Sequence, residues 1–454
     1  MKNNPLKILI MCWLVCTLAA CSNENELKNK PEKALEYSSD KVNIKTDNRV
    51  VWAINIGGNK HLSIDNINYQ ADTLPLSTNT GVIDNVLGSQ DPFVFQTYRQ
   101  GDFDINKKLP NGLYDIIFKF AEPNDVASGE RVFDVYAQQN KVIADLDIRR
   151  ARDGKSKSAL VRAVTDIAVT NSQLELSFKG KVGMPVLNAI VVRKKHTLDS
   201  DWRLVWQDEF NIDGKPDANK WNYDIWPARK VNDEDQTYTD RLKNARVEQG
   251  KLIIEAHKEQ YNNAQYTSAR LQSSGKGDFL YGRAEIRAKI PAGQGTWPAI
   301  WMLPTDFFKY ATNCDASTDG HQGCDAWPNS GEIDIMEHVG YDMQTIHGTV
   351  HNKAYYWVNW QQRKSSVEGV NVDKVFHRYA IEWSPEHIEI FFDDTPYFYY
   401  KNEHAGWQAW PYDHPYHIIL NLAIGGMWGR AGGPIDDSIF PVRMEVDYVR
   451  IYQK

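Results

Sequence analysis

The stretch Gly331-Glu332-Ile333-Asp334-Ile335-Met336-Glu337-His338 places three carboxylates within six residues. The apolar Ile333, Ile335 and Met336 between them read as a β-strand. Three like charges on one strand repel each other unless chemistry needs them. The chemistry that suits a close carboxylate pair is glycosidic bond cleavage, in which one group attacks and the other donates a proton. Alternate residues of a strand share a face, so Glu332, Asp334 and position 336 point together and Glu337 falls out of phase. A β-bulge at Ile335 or Met336 would return Glu337 to the face of Glu332. The two carboxyls could then approach to about 5–5.5 Å, the separation of a retaining glycosidase. An unbulged strand would put Glu337 on the back of the sheet, and an acidic, solvent-facing strand is the bland alternative.

The elements that must position these groups are strands. Short β-branched or aromatic runs recur at 50–56, 114–120, 132–136, 173–178, 252–256, 284–290, 379–383, 388–393 and 444–452, separated by Asn, Gly and Asp. Such punctuation predicts an all-β protein made of sandwiches. The charged segment 194–200 separates two series of runs and is taken as the domain boundary.

The chain has 454 residues and a formal net charge of −7, with no basic block, which argues against nucleic acid as a partner. Lys2 and Lys7 precede an apolar run over 8–20, too short and too early for a membrane span and suited to an export signal. It ends in Leu18-Ala19-Ala20-Cys21, which resembles the bacterial lipobox. That resemblance implies cleavage before Cys21 and its lipidation. We expect a lipoprotein signal over 1–21 and a polar, flexible tether over 22–45. Cys314 and Cys324 flank a polar loop, and in an oxidising compartment they are expected to pair as a disulfide. His321 in that loop leaves a metal-ligand role open, although no second Cys/His pair accompanies it.

Residues 200–454 carry, in order, Trp206-Gln207-Asp208-Glu209-Phe210, Tyr266-Thr267-Ser268-Ala269-Arg270, Trp297-Pro298-Ala299-Ile300-Trp301-Met302, the carboxylate strand, Ile346-His347-Gly348-Thr349-Val350-His351 and Asn421-Leu422-Ala423-Ile424-Gly425-Gly426. On these motifs the segment resembles glycoside hydrolase family 16, in particular its bacterial laminarinases (endo-1,3-β-glucanases). The resemblance implies a concave β-jelly-roll sandwich and a retaining mechanism without a catalytic cofactor. It casts Glu332 as nucleophile, Glu337 as general acid/base and Asp334 as their hydrogen-bonded partner. It implies that Trp297, Trp301, Asn232, Arg270, His351 and Trp428 bind substrate, with Asn232 and Arg270 on the non-reducing side. Core packing for the tryptophans, a sheet-edge salt bridge for Arg270 and a structural hydrogen bond for His351 are the alternatives. It also implies a structural calcium at Glu209, Gly250 and Asp447, oxygen ligands suited to that ion. The segment Trp226-Pro227-Ala228-Arg229-Lys230 departs from the family pattern and leaves the shape of one cleft end open.

Residues 46–196 resemble the malectin-type carbohydrate-binding domain, through Ala53-Ile54-Asn55-Ile56-Gly57-Gly58, Tyr69-Gln70-Ala71-Asp72-Thr73, Gln96-Thr97-Tyr98-Arg99 and Val132-Phe133-Asp134-Val135-Tyr136. The resemblance implies a β-sandwich preceding the jelly roll. Tyr69, Tyr98 and Arg99 are its candidate sugar contacts, and a spacer role is the alternative. These readings together give a monomeric endo-acting hydrolase of laminarin-like 1,3-β-glucan or mixed-linkage glucan. It would be lipid-anchored in a bacterial cell envelope, at the outer membrane or cell surface. The same fold acting on a galactan such as agar, or a non-catalytic glucan-binding protein, are the competing readings. Non-catalytic relatives typically lack the two glutamates present here.

Overall fold

The computed structural model describes residues 49–75, 78–152, 154–195, 201–318, 323–359, 361–369 and 371–454. The expected signal with Cys21, the tether and His321 lie outside the described residues.

The protein is all-β, with helices of only three or four residues. Its largest sheet has 13 strands. Seven come from the C-terminal segment, in the order Asn222–Tyr223, Arg270–Gln272, Tyr416–Ile424, Thr296–Pro304, Glu332–Glu337, Thr345–His351 and Arg363–Glu368. The remaining six come from the N-terminal segment, beginning Leu160–Val169, Gly112–Phe120, Ala189–Lys194 and Val50–Asn55. The two halves join where Leu160–Val169 runs parallel to Arg363–Glu368, with Arg162 opposite Ser366 and Ala163 opposite Val367. Gln90 strengthens the joint. Its side-chain amide both donates to the carbonyl and accepts from the N–H of Lys401, each at 2.8 Å.

Strand alternation explains how one sheet serves two sandwiches. On one face, Ile117, Ala163 and Val191 of the N-terminal segment share a core with Ile333, Ile346 and Val367 of the C-terminal segment. A ten-stranded sheet containing Gly282–Lys289, His377–Trp383 and Val442–Gln453 belongs to the second layer of the C-terminal sandwich. On the other face, Phe118, Ile190 and Ile54 pack with Leu176 and Phe178 of a four-stranded sheet. Fully burying a side chain of this size contributes about 1.5–3 kcal/mol, so the shared core binds the segments far more firmly than a tether would. The expected sandwiches are both present, but they are not separate bodies.

The candidate sugar contacts of the N-terminal segment do not form an open site. Tyr69 is fully buried, with the Lys119 ammonium 5.5 Å from its ring centre. Its strand, Asn68–Ala71, alternates out-in-out, and Tyr69 occupies the inward position. Tyr98 is half-buried and lies against Gly81. Arg99 is committed to Asp72 at 2.5 Å and to the Leu74 carbonyl at 3.3 Å.

Candidate active site

The carboxylate strand is bulged. Along the Thr345–His351 neighbour, Asp334 faces Thr349 and Glu337 faces His347, three residues against two. Along Thr296–Pro304, Asp334 faces Trp301 and Met336 faces Ile300, two against one. The residue extra to both neighbours is Ile335. Ile333, Ile335 and Met336 all enter the shared core at 0% exposure. Glu332, Asp334 and Glu337 are thereby left on the opposite, concave face.

The indole N–H of Trp327 donates to Glu332 Oε2 at 3.1 Å, and that of Trp297 donates to Glu337 Oε1 at 3.0 Å. His351 Nε2 lies 3.4 Å from Asp334 Oδ2 and 3.7 Å from Glu332 Oε1. Burial pushes Glu332 up to about 8, with the charges of Asp334 and Glu337 adding to the shift and His351 opposing it. Burial, then the charge of Glu337, holds Asp334 well above the usual carboxylate range. Burial also raises Glu337. A buried trio of this kind cannot hold three negative charges at neutral pH. At Asp334, hydrogen-bonding contact with Glu332 works against burial. Burial favours the protonated form of Glu337, the form an acid catalyst needs.

The remaining expected contacts fall around this centre. Trp297 and Trp301 are both half-buried on the concave side. Trp301 donates to Asn421 Oδ1 at 2.7 Å. Trp428 stands edge-on to Trp297 at 5.7 Å and to His347 at 5.0 Å. Asn232 is exposed beside them, its carbonyl accepting from the Met427 N–H at 2.8 Å. Gly426 permits that approach, since a Cβ there would stand 3.1 Å from the Trp297 ring and 3.2 Å from the Asn232 carbonyl oxygen. Arg270 is sandwiched between Trp226 at 4.3 Å and Trp301 at 4.6 Å and is ion-paired with Asp224 at 2.7 Å. His351, expected to bind substrate, faces Glu332 and Asp334, and His347 opposes Glu337.

Sequence reasoning missed Trp327, His347 and Trp226 as parts of the site. Trp327 had a usable signal, lying five residues before Glu332. His347 lay inside a quoted motif but had no partner that the sequence could name.

The expected calcium ligands do not fit that ion as folded. Glu209 is held in a fork by Arg450 at 2.7 and 2.9 Å, and Asp447 is paired with Arg287 at 2.5 Å. Both carboxylates are already neutralised by cations, and Gly250 could add only a backbone carbonyl. Among the described residues, the group of three or more His, Cys or acidic side chains with clustered donor atoms is Glu332, Asp334 and His351. Cys314 and Cys324 are disulfide-bonded, with Cα atoms 5.0 Å apart.

A concave sandwich with paired, differently held glutamates beneath a tryptophan-lined cleft defines a glycoside hydrolase. Residues 232–450 match glycosyl hydrolases family 16, and residues 50–190 match the malectin domain. The chain is 48% identical over 258 residues to a β-glucanase of Rhodothermus marinus, covering 56% of this chain and 85% of that protein. The solved laminarinase from Rhodothermus marinus matches at 47% identity with a TM-score of 0.51, over 56% of this chain and 97% of that one. A solved non-specific endo-β-1,3(4)-glucanase, SCLam, matches at 42% identity with a TM-score of 0.51, over 57% of this chain and 94% of that one. The chain belongs to glycosyl hydrolase family 16.

Proposed function

We propose that this enzyme is an endo-acting β-glucanase that hydrolyses 1,3-β-glucan of the laminarin type, or mixed-linkage β-glucan, with retention of anomeric configuration. The observation that carries the reading is the Ile335 bulge, which sets Glu332 and Glu337 on one face. The glucanase and laminarinase names of its relatives support the substrate class.

Glu332 attacks the anomeric carbon while Glu337 gives its proton to the departing glycosidic oxygen. Trp297 holds the Glu337 carboxyl in place, and the Trp327 indole N–H, with His351 beside it, stabilises the Glu332 carboxylate before attack. Once the glycosyl ester forms, the charge on Glu332 is gone and Glu337, now ionised, takes a proton from the incoming water. That water then releases the sugar.

The purified chain from residue 22 onward, incubated with laminarin, lichenan and agarose, should generate new reducing ends from the glucans. Release from agarose alone would overturn the substrate class. NMR of the first product should show the β-anomer before mutarotation; the α-anomer would overturn retention.

The lipobox resemblance at Cys21 supports export and anchoring in a bacterial envelope. Incorporation of labelled fatty acid into the full-length protein, lost in Cys21→Ala, is the expected result. A monomer is expected by light scattering.

A further inference from the structure

The row of side chains starting at Glu337 can be followed by register. Glu337 opposes His347, His347 opposes Ser366, Ser366 opposes Arg162, and Arg162 opposes Phe118. Directly opposed residues on neighbouring strands point to one face, so the whole row lies on the side of the cleft. Ser366 is small and turns its hydroxyl to the Val161 carbonyl at 3.1 Å. Phe118 is fully covered, edge-on at 5.8 Å to Phe178 of the four-stranded sheet. The concave face therefore runs out beneath that second layer. At about 4.8 Å between strands, Arg162 lies roughly 14 Å from the Glu337 strand and Phe118 roughly 19 Å.

Arg162 is the last polar side chain of this row before the wall. It is 5% exposed, comparable with Asp334 at 3%, His351 at 6% and Arg270 at 6% on the same sheet. Among the described residues its Nη1 has no hydrogen-bond acceptor. Glu368 and Asp342 supply negative charge around it. Its positive charge reaches His347, whose imidazole burial and the cations Lys364 and Arg162 hold well below its ordinary value. A guanidinium stays charged and offers donors in a fixed fork, and a buried N–H left unpaired is destabilising. A glucan hydroxyl arriving along the cleft would satisfy it.

We infer that the N-terminal segment closes one end of the catalytic cleft, and that Arg162 is a saccharide-binding contact at that end, taking a hydroxyl of an uncharged glucan unit several sugars from the cleaved bond. The inference rests on the proposed glucanase activity. The malectin-like segment then serves as part of the active-site cleft, in place of a separate sugar-capture site.

The test uses the mature chain and 1,3-β-gluco-oligosaccharides of increasing length, labelled at the reducing end. Arg162→Met should lower kcat/KM roughly 5- to 50-fold on oligosaccharides long enough to reach it. It should leave the shortest cleaved substrates unchanged and shift the preferred bond in the long ones. Arg162→Lys should recover part of the loss. A loss equal at every length, or no loss, would overturn the inference. If Arg162→Met does not fold, the same length series on Arg162→Lys decides, with length-dependent loss supporting and a flat profile refuting. Failure of the wild-type enzyme to cut any β-glucan would instead defeat the proposed function.

Discussion

The Tyr397 hydroxyl donates to the carbonyl of Ile335 at 2.9 Å, tying the extra residue of the catalytic strand to the opposite sheet. Both groups are buried. The neighbouring strand makes room with Gly348, where a Cβ would come within 2.9 Å of the Tyr397 hydroxyl. The bulge that turns Glu337 into the cleft is therefore held from behind.

Tyr397→Phe leaves a buried carbonyl without its donor, at a cost of about 1–3 kcal/mol. We expect kcat to fall severalfold with little change in KM, because the lost bond positions Glu337 and touches no substrate. Gly348→Ala should act in the same direction by pushing Tyr397 away. Steady-state kinetics on laminarin would read both, and wild-type kcat in Tyr397→Phe would count against the clamp.

Glu332 should make the fold less stable as pH rises. Its folded-state value is raised from 4.5 to about 8, so the unfolded chain ionises first and the folded state is penalised through that window. Glu332→Gln does not titrate. Its stability to unfolding should therefore match wild type near pH 4.5 and exceed it increasingly toward pH 8, by a few kcal/mol at most, read as a rising melting-temperature difference. A constant difference across pH would contradict the burial argument. The same variant should be inactive, as it lacks the attacking carboxylate.

Asp334 should act through its hydrogen-bonding contact with Glu332. Asp334→Asn keeps a hydrogen-bonding group against Glu332, whereas Asp334→Ala removes it. A hydrogen bond to a charged group is worth about 1.5–3 kcal/mol, so Asn should retain roughly 10- to 100-fold more activity than Ala near pH 6. Equal activities would mean that Asp334 acts only through its charge.

Calcium should do little. With Glu209 on Arg450 and Asp447 on Arg287, an ion must displace two arginines. Millimolar calcium or a chelator should leave the melting temperature unchanged within a degree or so. A clear rise with calcium would show that the arginines yield.

The catalytic strand was legible because its constraint is local. Three carboxylates of fixed spacing and three apolar residues between them admit few arrangements, and parity makes a bulge the condition for Glu332 and Glu337 to share a face. Strand spacing put Trp297 and Trp301 on one face, and their place in the cleft came from the family resemblance. Tyr69 was misplaced because an aromatic in a short strand looks the same from either face, and only the packing of Lys119 and the neighbouring strands settles which way it points. The pairing of Arg162 with Ser366 spans some two hundred residues and leaves no local trace in either strand. Glu209 and Asp447 carry no sign in the sequence that arginines 241 and 160 residues away will claim them.

The parallel pairing of Leu160–Val169 on Arg363–Glu368 has a consequence for the chain if it is ever cut near residue 200. The remaining catalytic half would present Arg363–Glu368 as an open margin, its backbone N–H and C=O groups ready to recruit a strand from another molecule. Apolar Val367 and its core neighbours would be uncovered beside it. Proteolytic loss of the first two hundred residues would thus leave the catalytic residues in place and drive the fragment toward self-association, so the N-terminal segment also guards the enzyme against its own aggregation.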